Sequence, residues 1–127
     1  MKWRDLMQTA QGEIVSTLQF GKDHAMSCGF ISIICGVDKR DVRMAVEYVR
    51  CHCDPDDPET QIVAGCSRGY YLADTLREAL AFYRFHRCGL FINGYAIERT
   101  RAIIRNKSGC DPDLIRFADL RRNEVRD

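Results

Sequence analysis

The stretch "CGFISIICGVDKRDVRMAVEYV", residues 28–49, places Gly36 between two short runs whose apolar residues have helical spacing. A glycine here suits the left-handed conformation that ends a helix, and Asp38 is a favourable N-cap for the helix that follows. The pattern predicts two helices joined by a tight turn, as in a helix-turn-helix. Small and apolar residues stand at the offsets where the helices of that motif touch: Ile31, Ser32, Cys35, Val37, Val42 and Ala45.

The second helix of this pair has an apolar side and a charged side. Val42, Val46 and Val49 fall within one narrow arc when residues advance by about 100° each. In a helix-turn-helix, the exposed amino-terminal end of the second helix contacts bases and phosphates. An ordinary solvated face is the alternative, because nearby acidic residues almost balance the basic ones. The candidate nucleic-acid contacts on this helix are Lys39, Arg40, Arg43, Met44 and Glu47.

A β-hairpin is predicted soon after this helix. In "QIVAGCSRGYYLA", residues 61–73, two short β-prone runs at 61–64 and 70–72 flank a turn rich in glycine. A hairpin directly after a helix-turn-helix is the winged-helix arrangement, with the hairpin tip as the wing. Arg68 lies at that tip, from which it could reach a phosphate or a minor groove.

The remaining helices are predicted from periodicity. Residues 2–18 carry an apolar stripe and give a first helix, while residues 74–105 open with a Thr75 and Glu78 capping box and give a long helix. Asn93-Gly94 could divide the long helix. A tail helix over 111–122 starts at Asp111-Pro112. The long helix has two stripes: Leu76, Leu80, Tyr83, Leu90 and Ile97, and beside them Phe82, Phe85, Ile92, Ala96 and Ile103.

Two stripes on one helix need two partners. The winged core can cover one stripe. A second copy of the chain, giving a homodimer through residues 74–105, or the tail helix folding back, can cover the other.

Together these elements predict an α+β fold that is mostly α. Residues 1–73 form a winged helix-turn-helix domain of three helices and a β-hairpin wing. Residues 74–127 form a helical extension on the same core, a long C-terminal helix followed by a short tail helix. A chain of 127 residues with 46% hydrophobic residues suits one such core.

The charge is small overall but unevenly distributed. The net charge is +1, so the chain is not a polycation. Four acids oppose Arg68 between residues 51 and 73, and six arginines oppose three acids between residues 74 and 105. No apolar run approaches the length of a membrane span, and no export signal is visible, which predicts a cytoplasmic protein.

The seven cysteines are expected to be free thiols, since their number is odd. "CHC" at residues 51–53 is the sharpest metal-like cluster, but adjacent side chains point apart and do not suit tetrahedral zinc. No catalytic triad pattern and no phosphate-binding glycine loop is present. We therefore expect no metal, no cofactor and no enzymatic activity.

Two segments, "GKDHAMSCGFISIICGVDKRDVRMAVEYVR" and "IVAGCSRGYYLADTLREALAFY", together resemble small winged-helix proteins of tailed phages and prophages of Gram-positive bacteria. The resemblance covers residues 21–105 and rests on the order of elements and the "SRGYYLADT" turn. It implies a protein that binds double-stranded DNA in a bacterial host, as a transcriptional regulator or a replication accessory factor. By the same resemblance Arg40 and Arg43 lie on the recognition helix and Arg68 on the wing.

The acidic segment "DPDDPE", residues 54–59, favours a second interpretation. An acidic loop beside the recognition helix would repel a phosphate backbone, or could imitate one. The same scaffold would then be a protein-binding module that inhibits a host nucleic-acid enzyme, in the manner of an anti-defence or anti-CRISPR protein.

Overall fold

The chain, in a computed structural model, is described over residues 1–87 and 94–120. It has an α+β fold that is mostly helical, with a two-stranded antiparallel sheet. In the described ranges no helix is long and apolar enough to cross a lipid bilayer. The elements in chain order are α1 (Trp3–Leu6), α2 (Ala10–Val15), α3 (Cys28–Cys35), α4 (Lys39–His52), β1 (Val63–Cys66), β2 (Gly69–Leu72), α5 (Leu76–Arg87) and α6 (Gly94–Ser108).

The predicted turn between the two central helices is confirmed. Ser27 caps α3 by accepting a bond from the Phe30 amide at 3.1 Å. Gly36 ends α3 with a φ of 68°, a left-handed conformation that glycine adopts without a Cβ clash. Asp38 then caps α4 through a bond from the Asp41 amide at 2.9 Å. The sequence pattern therefore locates both helix ends.

The core is built around α4. Its buried side is the predicted one, formed by Val42, Ala45, Val46 and Val49. Helices α2 and α3 pack against α4, and α6 packs against it as well. From α3, Ile31 contributes a side chain that is 1% exposed. Because α4 is held along its apolar side, its opposite side is left for other contacts.

The turn of the hairpin is shorter than predicted, and another segment of the chain lies beside the outer edge of strand β2. Strands β1 and β2 pair from Val63 with Leu72 to Cys66 with Gly69, so Ser67 and Arg68 alone form the turn. The segment between α2 and α3 lies beside β2. There the Met26 and Tyr70 amides each bond the other residue's carbonyl oxygen at 2.9 Å.

The single first helix predicted over residues 2–18 is wrong. Thr9 begins a second helix, because its Oγ1 accepts a bond from the Gly12 amide at 3.0 Å. The backbones of α1 and α2 meet closely at Gly12. A Cβ at this position would lie 1.8 Å from the Leu6 carbonyl oxygen, so only glycine fits.

Residues 74–105 do not form one continuous helix, and the second helix begins at Gly94, within the pair that was expected to allow a division. Half of the predicted Thr75 and Glu78 capping box is present, since the Glu78 amide donates to Thr75 Oγ1 at 3.1 Å, but the Glu78 carboxylate accepts from the Asp74 amide at 2.8 Å. Helix α5 is described to Arg87, and α6 begins at Gly94 and packs against α5. Of the two predicted stripes, Leu90 and Ile92 lie outside the described residues. Members of both stripes are buried inside the chain: Leu80, Tyr83, Phe82, Ala96 and Ile103.

This burial removes the reason for predicting a homodimer through residues 74–105. Helices α5 and α6 pack on each other, so most described members of the two stripes are covered within the chain, whereas Phe85 is 68% exposed. The described residues of this region give no support to self-association.

The predicted tail helix over residues 111–122 is wrong for its described part. A short 3-10 helix, Phe117–Asp119, is present where an α-helix was expected, and residues 121 and 122 lie outside the description. The tail is fixed by side chains of α5 instead. Arg77 and Arg84 lie over the Phe117 ring, with guanidinium carbons 5.5 and 5.1 Å from the ring centroid.

Candidate nucleic-acid interface

Helix α4 exposes most of the candidate contact residues. Lys39, Arg40, Arg43 and Met44 are all exposed, because the valine side of the helix packs on the core. Glu47 is half-buried and accepts a bond from the Cys51 thiol at 3.7 Å. In the part of the chain that the structure describes, none of the three basic residues forms an ion pair. Their charges remain available to a ligand.

Arg68 lies at the hairpin turn and leans on the segment between α2 and α3. Its Nη2 donates to the Lys22 carbonyl oxygen at 3.2 Å and lies 3.6 Å from Asp23 Oδ1. Both side chains of this ion pair are exposed, so water weakens it. The contacts orient the Arg68 guanidinium without neutralising it strongly.

A groove of about 870 Å³ runs between α4, the hairpin and α5. It brings Arg43 of α4 together with Arg68 of the hairpin turn, as a winged-helix interface would require. Among the described residues, no carboxylate lines it. Lys39, Arg40, Met44 and Glu47 do not line the groove and lie elsewhere on the surface of α4. The cationic side chains that line it are Lys22, Arg43, Arg50 and Arg68.

Arg50 is a groove residue that the sequence analysis did not select. Its Nε donates to the Val63 carbonyl oxygen at 2.8 Å. Its guanidinium lies over the Phe82 ring, 4.9 Å from the centroid, and 5.9 Å from that of Tyr70. Burial lowers the pKa of Arg50 to about 10, which leaves it charged at neutral pH. The available signal was spacing, because residues 40, 43, 47 and 50 share one helix face.

His86 adds a polar group to the same groove. Its ring centroid is 4.6 Å from that of Phe82 and 5.0 Å from that of Phe85. The Nδ1 atom is buried and has no hydrogen-bond partner among the described residues. Burial lowers the pKa of His86, and the charge of Arg50 lowers it further. The imidazole is therefore neutral at pH 7.

The acidic loop, residues 54–59, is fixed by contacts within the chain. Asp57 accepts bonds from the Trp3 amide at 2.8 Å and the Glu59 amide at 3.1 Å. The bond from Trp3 and then that from Glu59 lower the pKa of Asp57. Lys2 lies 3.6 Å from Asp54, Arg4 lies 3.7 Å from Glu59, and Asn106 donates to Asp56 at 3.1 Å.

These contacts join the loop to the amino terminus and to α6, and none of its residues lines the groove. The loop is a connection without a helix, as predicted, but it is only partly exposed, because Asp57 is buried, and its carboxylates already have partners.

The three side chains of the "CHC" cluster at the end of α4 contact different partners. The Cys51 thiol bonds Glu47, His52 Nδ1 lies 2.8 Å from the Tyr48 carbonyl oxygen, and the Cys53 thiol faces the Arg50 carbonyl. Burial raises the pKa of Cys53 to about 11, so its thiol stays protonated. Over the described ranges, no group of three His, Cys, Asp or Glu side chains could hold a metal ion.

A second exposed surface lies on α3. The outward side of this helix carries Phe30, Ile33 and Ile34, whose exposed fractions are 53%, 79% and 49%. Such large apolar side chains, adjacent on one short helix, form a patch of the kind that marks interaction sites. The apolar outer face of this helix was not predicted from the sequence.

No protein-family model, curated protein or solved structure matches this chain. Its function must therefore be inferred from its own residues.

Proposed function

We propose that this chain is a winged helix-turn-helix protein that binds double-stranded DNA. In this proposal α4 is the recognition helix and the β1–β2 turn is the wing. The order of elements fits such a fold, since the segment that precedes α3 borders β2 and the hairpin follows α4 directly.

One observation carries the proposal. Arg43 from α4 and Arg68 from the hairpin turn line the same groove, and the described residues that line it include no carboxylate. A phosphate backbone laid along this face would meet cations from two separate elements. Lys39 and Arg40 extend the positive charge toward the amino-terminal end of α4, where base and phosphate contacts are made in this motif.

The resemblance of residues 21–105 to winged-helix proteins of tailed phages and prophages supports the same role. A phage or mobile-element protein of this kind would act in the cytoplasm of a bacterial host, as a transcriptional regulator or a replication accessory factor. Binding, with no chemical step, is sufficient for either role.

The salt dependence of duplex binding tests the proposal. Four or five phosphate contacts, from Lys22, Lys39, Arg40, Arg43 and Arg68, give a log-log slope of roughly −4, because each contact contributes about −0.9. Affinity for a random duplex should then fall by roughly 250-fold between about 50 and 200 mM salt. A protein that ignores duplex DNA at the lower salt concentration would refute the proposal.

A second candidate function is a protein-binding module that inhibits a host nucleic-acid enzyme, as an anti-defence protein does. The exposed Phe30, Ile33 and Ile34 on α3 favour it, because water makes a poor partner for such a face. The acidic loop gives this candidate less support than the sequence suggested, since its carboxylates have partners within the chain.

Mutation of α3 and the salt dependence of binding distinguish the two candidate functions. An Ile33→Lys, Ile34→Lys variant should lose inhibition of a purified defence nuclease while it keeps duplex binding. Leu114→Lys is the matched control, because Leu114 is 80% exposed and lies far along the chain from α3. An apolar interface should also persist at about 0.5 M salt, where phosphate contacts are weak. Unchanged inhibition by the α3 variant would rule out this surface.

A further inference from the structure

The inner end of the groove has a chemical character that duplex binding does not require. We call it the inner pocket and define it by Arg50, Tyr70, Phe82, Phe85 and His86. It lies where α4, β2 and α5 meet. The whole groove, at about 870 Å³, is within the size range of small-molecule sites, which is roughly 300–1,000 Å³.

The pocket holds a cation, Arg50, that has no ion-pair partner among the described residues. Arg50 uses Nε to bond the Val63 carbonyl oxygen, and over the described residues its other N–H groups have no hydrogen-bond or ion-pair partner. Glu47 lies near enough to affect Arg50 electrostatically, yet it forms no ion pair with it and does not line the groove. An arginine held by aromatic rings with free donors is suited to a phosphate, which it can bind through two parallel bonds.

The pocket also offers an aromatic platform and a polar atom beside it. Phe85 lines the groove and is 68% exposed, so much of this aromatic side chain is accessible to a ligand. Next to it, the buried Nδ1 of His86 lacks a hydrogen-bond partner in the described part of the chain. A buried polar atom without a partner is costly, and a ligand that bonds it removes that cost. A planar ring with a polar edge satisfies both groups.

We propose that the inner pocket binds a nucleotide, with the phosphate on Arg50, the base stacked on Phe85, and a polar edge of the base hydrogen-bonded to His86. The recognised chemistry is a phosphate joined to a heteroaromatic base. A free nucleoside monophosphate and the 5′-phosphorylated end of a single strand both carry it. The proposal does not depend on duplex binding, because it uses none of the exposed residues of α4.

Calorimetric titration of the purified full chain with AMP tests the proposal. Phe85→Ala should weaken AMP binding at least fivefold, because stacking of a base on an aromatic side chain is worth about 1–3 kcal/mol. The loss of fold is not a concern for this exposed residue. Tyr95→Ala is the matched control, since Tyr95 is an aromatic residue of α6 that is 72% exposed and does not line the groove.

Arg50→Met should weaken AMP binding tenfold or more, because it removes charged hydrogen bonds and keeps an apolar stem of similar length. Arg84→Met is its matched control. Arg84 also lies over an aromatic ring, that of Phe117 at 5.1 Å, and also donates to a carbonyl oxygen, that of Pro112 at 3.1 Å, but it is not part of the groove. Thermal unfolding of each variant verifies that it is folded before the titration.

Inorganic phosphate and a 5′-phosphorylated dinucleotide complete the experiment. Binding of AMP that weakens in Phe85→Ala and Arg50→Met, but not in the controls, supports the proposal with a free nucleotide as ligand. The same pattern with the dinucleotide alone supports it with a strand end as ligand. Three results overturn it: neither nucleotide binds at about 1 mM, Phe85→Ala binds like the wild type, or inorganic phosphate binds as tightly as AMP.

Discussion

Two charged regions at opposite ends of α4 differ in what their charges contact. At the amino-terminal end, Lys39, Arg40 and Arg43 form what we call the basic face, and in the described structure none of the three has an ion-pair partner. After the carboxyl-terminal end, the acidic loop of residues 54–59 is bonded to the amino terminus and to α6. Both regions look like solvated charge in the sequence. Only the basic face keeps its charge for a partner.

The difference arises from the backbone on which each region lies. The acidic loop turns around Asp57, which accepts two amide bonds, and the Thr60 hydroxyl closes it by donating to the Asp54 carbonyl oxygen at 2.7 Å. The basic face lies on the first turns of a regular helix, and its side chains point away from the valine side. Among the described residues its side chains make one weak contact, from Arg43 Nη1 to Cys28 Sγ at 4.0 Å. Net charge by segment does not distinguish these cases.

The largest expected effect comes from reversing the basic face. An Arg40→Glu, Arg43→Glu variant should lose more than a hundredfold in duplex affinity at about 50 mM salt, because two phosphate contacts become two repulsions. Its unfolding transition should match that of the wild type, since both residues are exposed. Electrophoretic mobility shift and thermal unfolding measure the two quantities.

A second double variant controls for net charge. Arg105→Glu, Arg116→Glu produces the same change of charge at two exposed residues outside the groove. It should lower duplex affinity far less. Equal losses in the two variants would mean that overall charge, and not the basic face, determines binding.

The sequence predicts some of the helices correctly and others not. Gly36, Asp38 and the valine spacing of α4 are local signals, and they predicted both helices and the outward side of α4 correctly. The single helices over 2–18 and 74–105 were wrong. Periodicity continued through the Thr9 cap. It could not reveal that α6 packs back on α5 and that the two helices bury described members of both stripes.

The candidate site was predictable only in part, for the same reason. Exposure of Arg40 and Arg43 follows from helix geometry. The meeting of Arg50 with Phe82 and His86 joins α4 to α5 across the hairpin, and no spacing in the sequence encodes that contact. The acidic loop was expected to be free to repel or imitate a phosphate backbone. Its carboxylates instead have partners in residues 1–4 and in α6, which are distant in the sequence.

An Asp57→Asn substitution should act on stability and not on binding. The carboxylate accepts bonds from two amides, whereas an asparagine offers one acceptor oxygen and points an N–H group at the other amide. An amide without an acceptor destabilises the folded state. Chemical denaturation should give a lower free energy of unfolding, with duplex affinity within about twofold of the wild type. A large loss of duplex affinity would show that the loop and the basic face are coupled.

The same carboxylate makes stability depend on pH. The amide bonds lower the pKa of Asp57 in the folded state, so the folded state favours its ionised form. This contribution is complete above the unfolded pKa of about 3.9 and is lost as pH falls through the lower folded value. The wild type should therefore lose more stability than Asp57→Asn between about pH 5 and pH 2.5. Parallel loss in both proteins would assign the acid sensitivity to other carboxylates.

The smallest effect is expected at Glu59, and a small effect here is informative. Its ion pair with Arg4 joins two exposed side chains, and such pairs are worth about 0.5 kcal/mol or less. Glu59→Gln should thus leave the free energy of unfolding nearly unchanged, unlike Asp57→Asn.

The Glu59→Gln substitution also removes a negative charge from the acidic loop. If that loop repels DNA, the variant should bind duplex more tightly, and the gain should fade as salt rises, because screening limits exposed charges to about 10 Å at 0.1 M. We expect no gain, since the loop lies with the amino terminus and α6 and does not line the groove. A salt-sensitive gain in affinity would place the acidic loop within reach of the phosphate backbone, and the two ends of α4 would then have to be treated as one electrostatic surface.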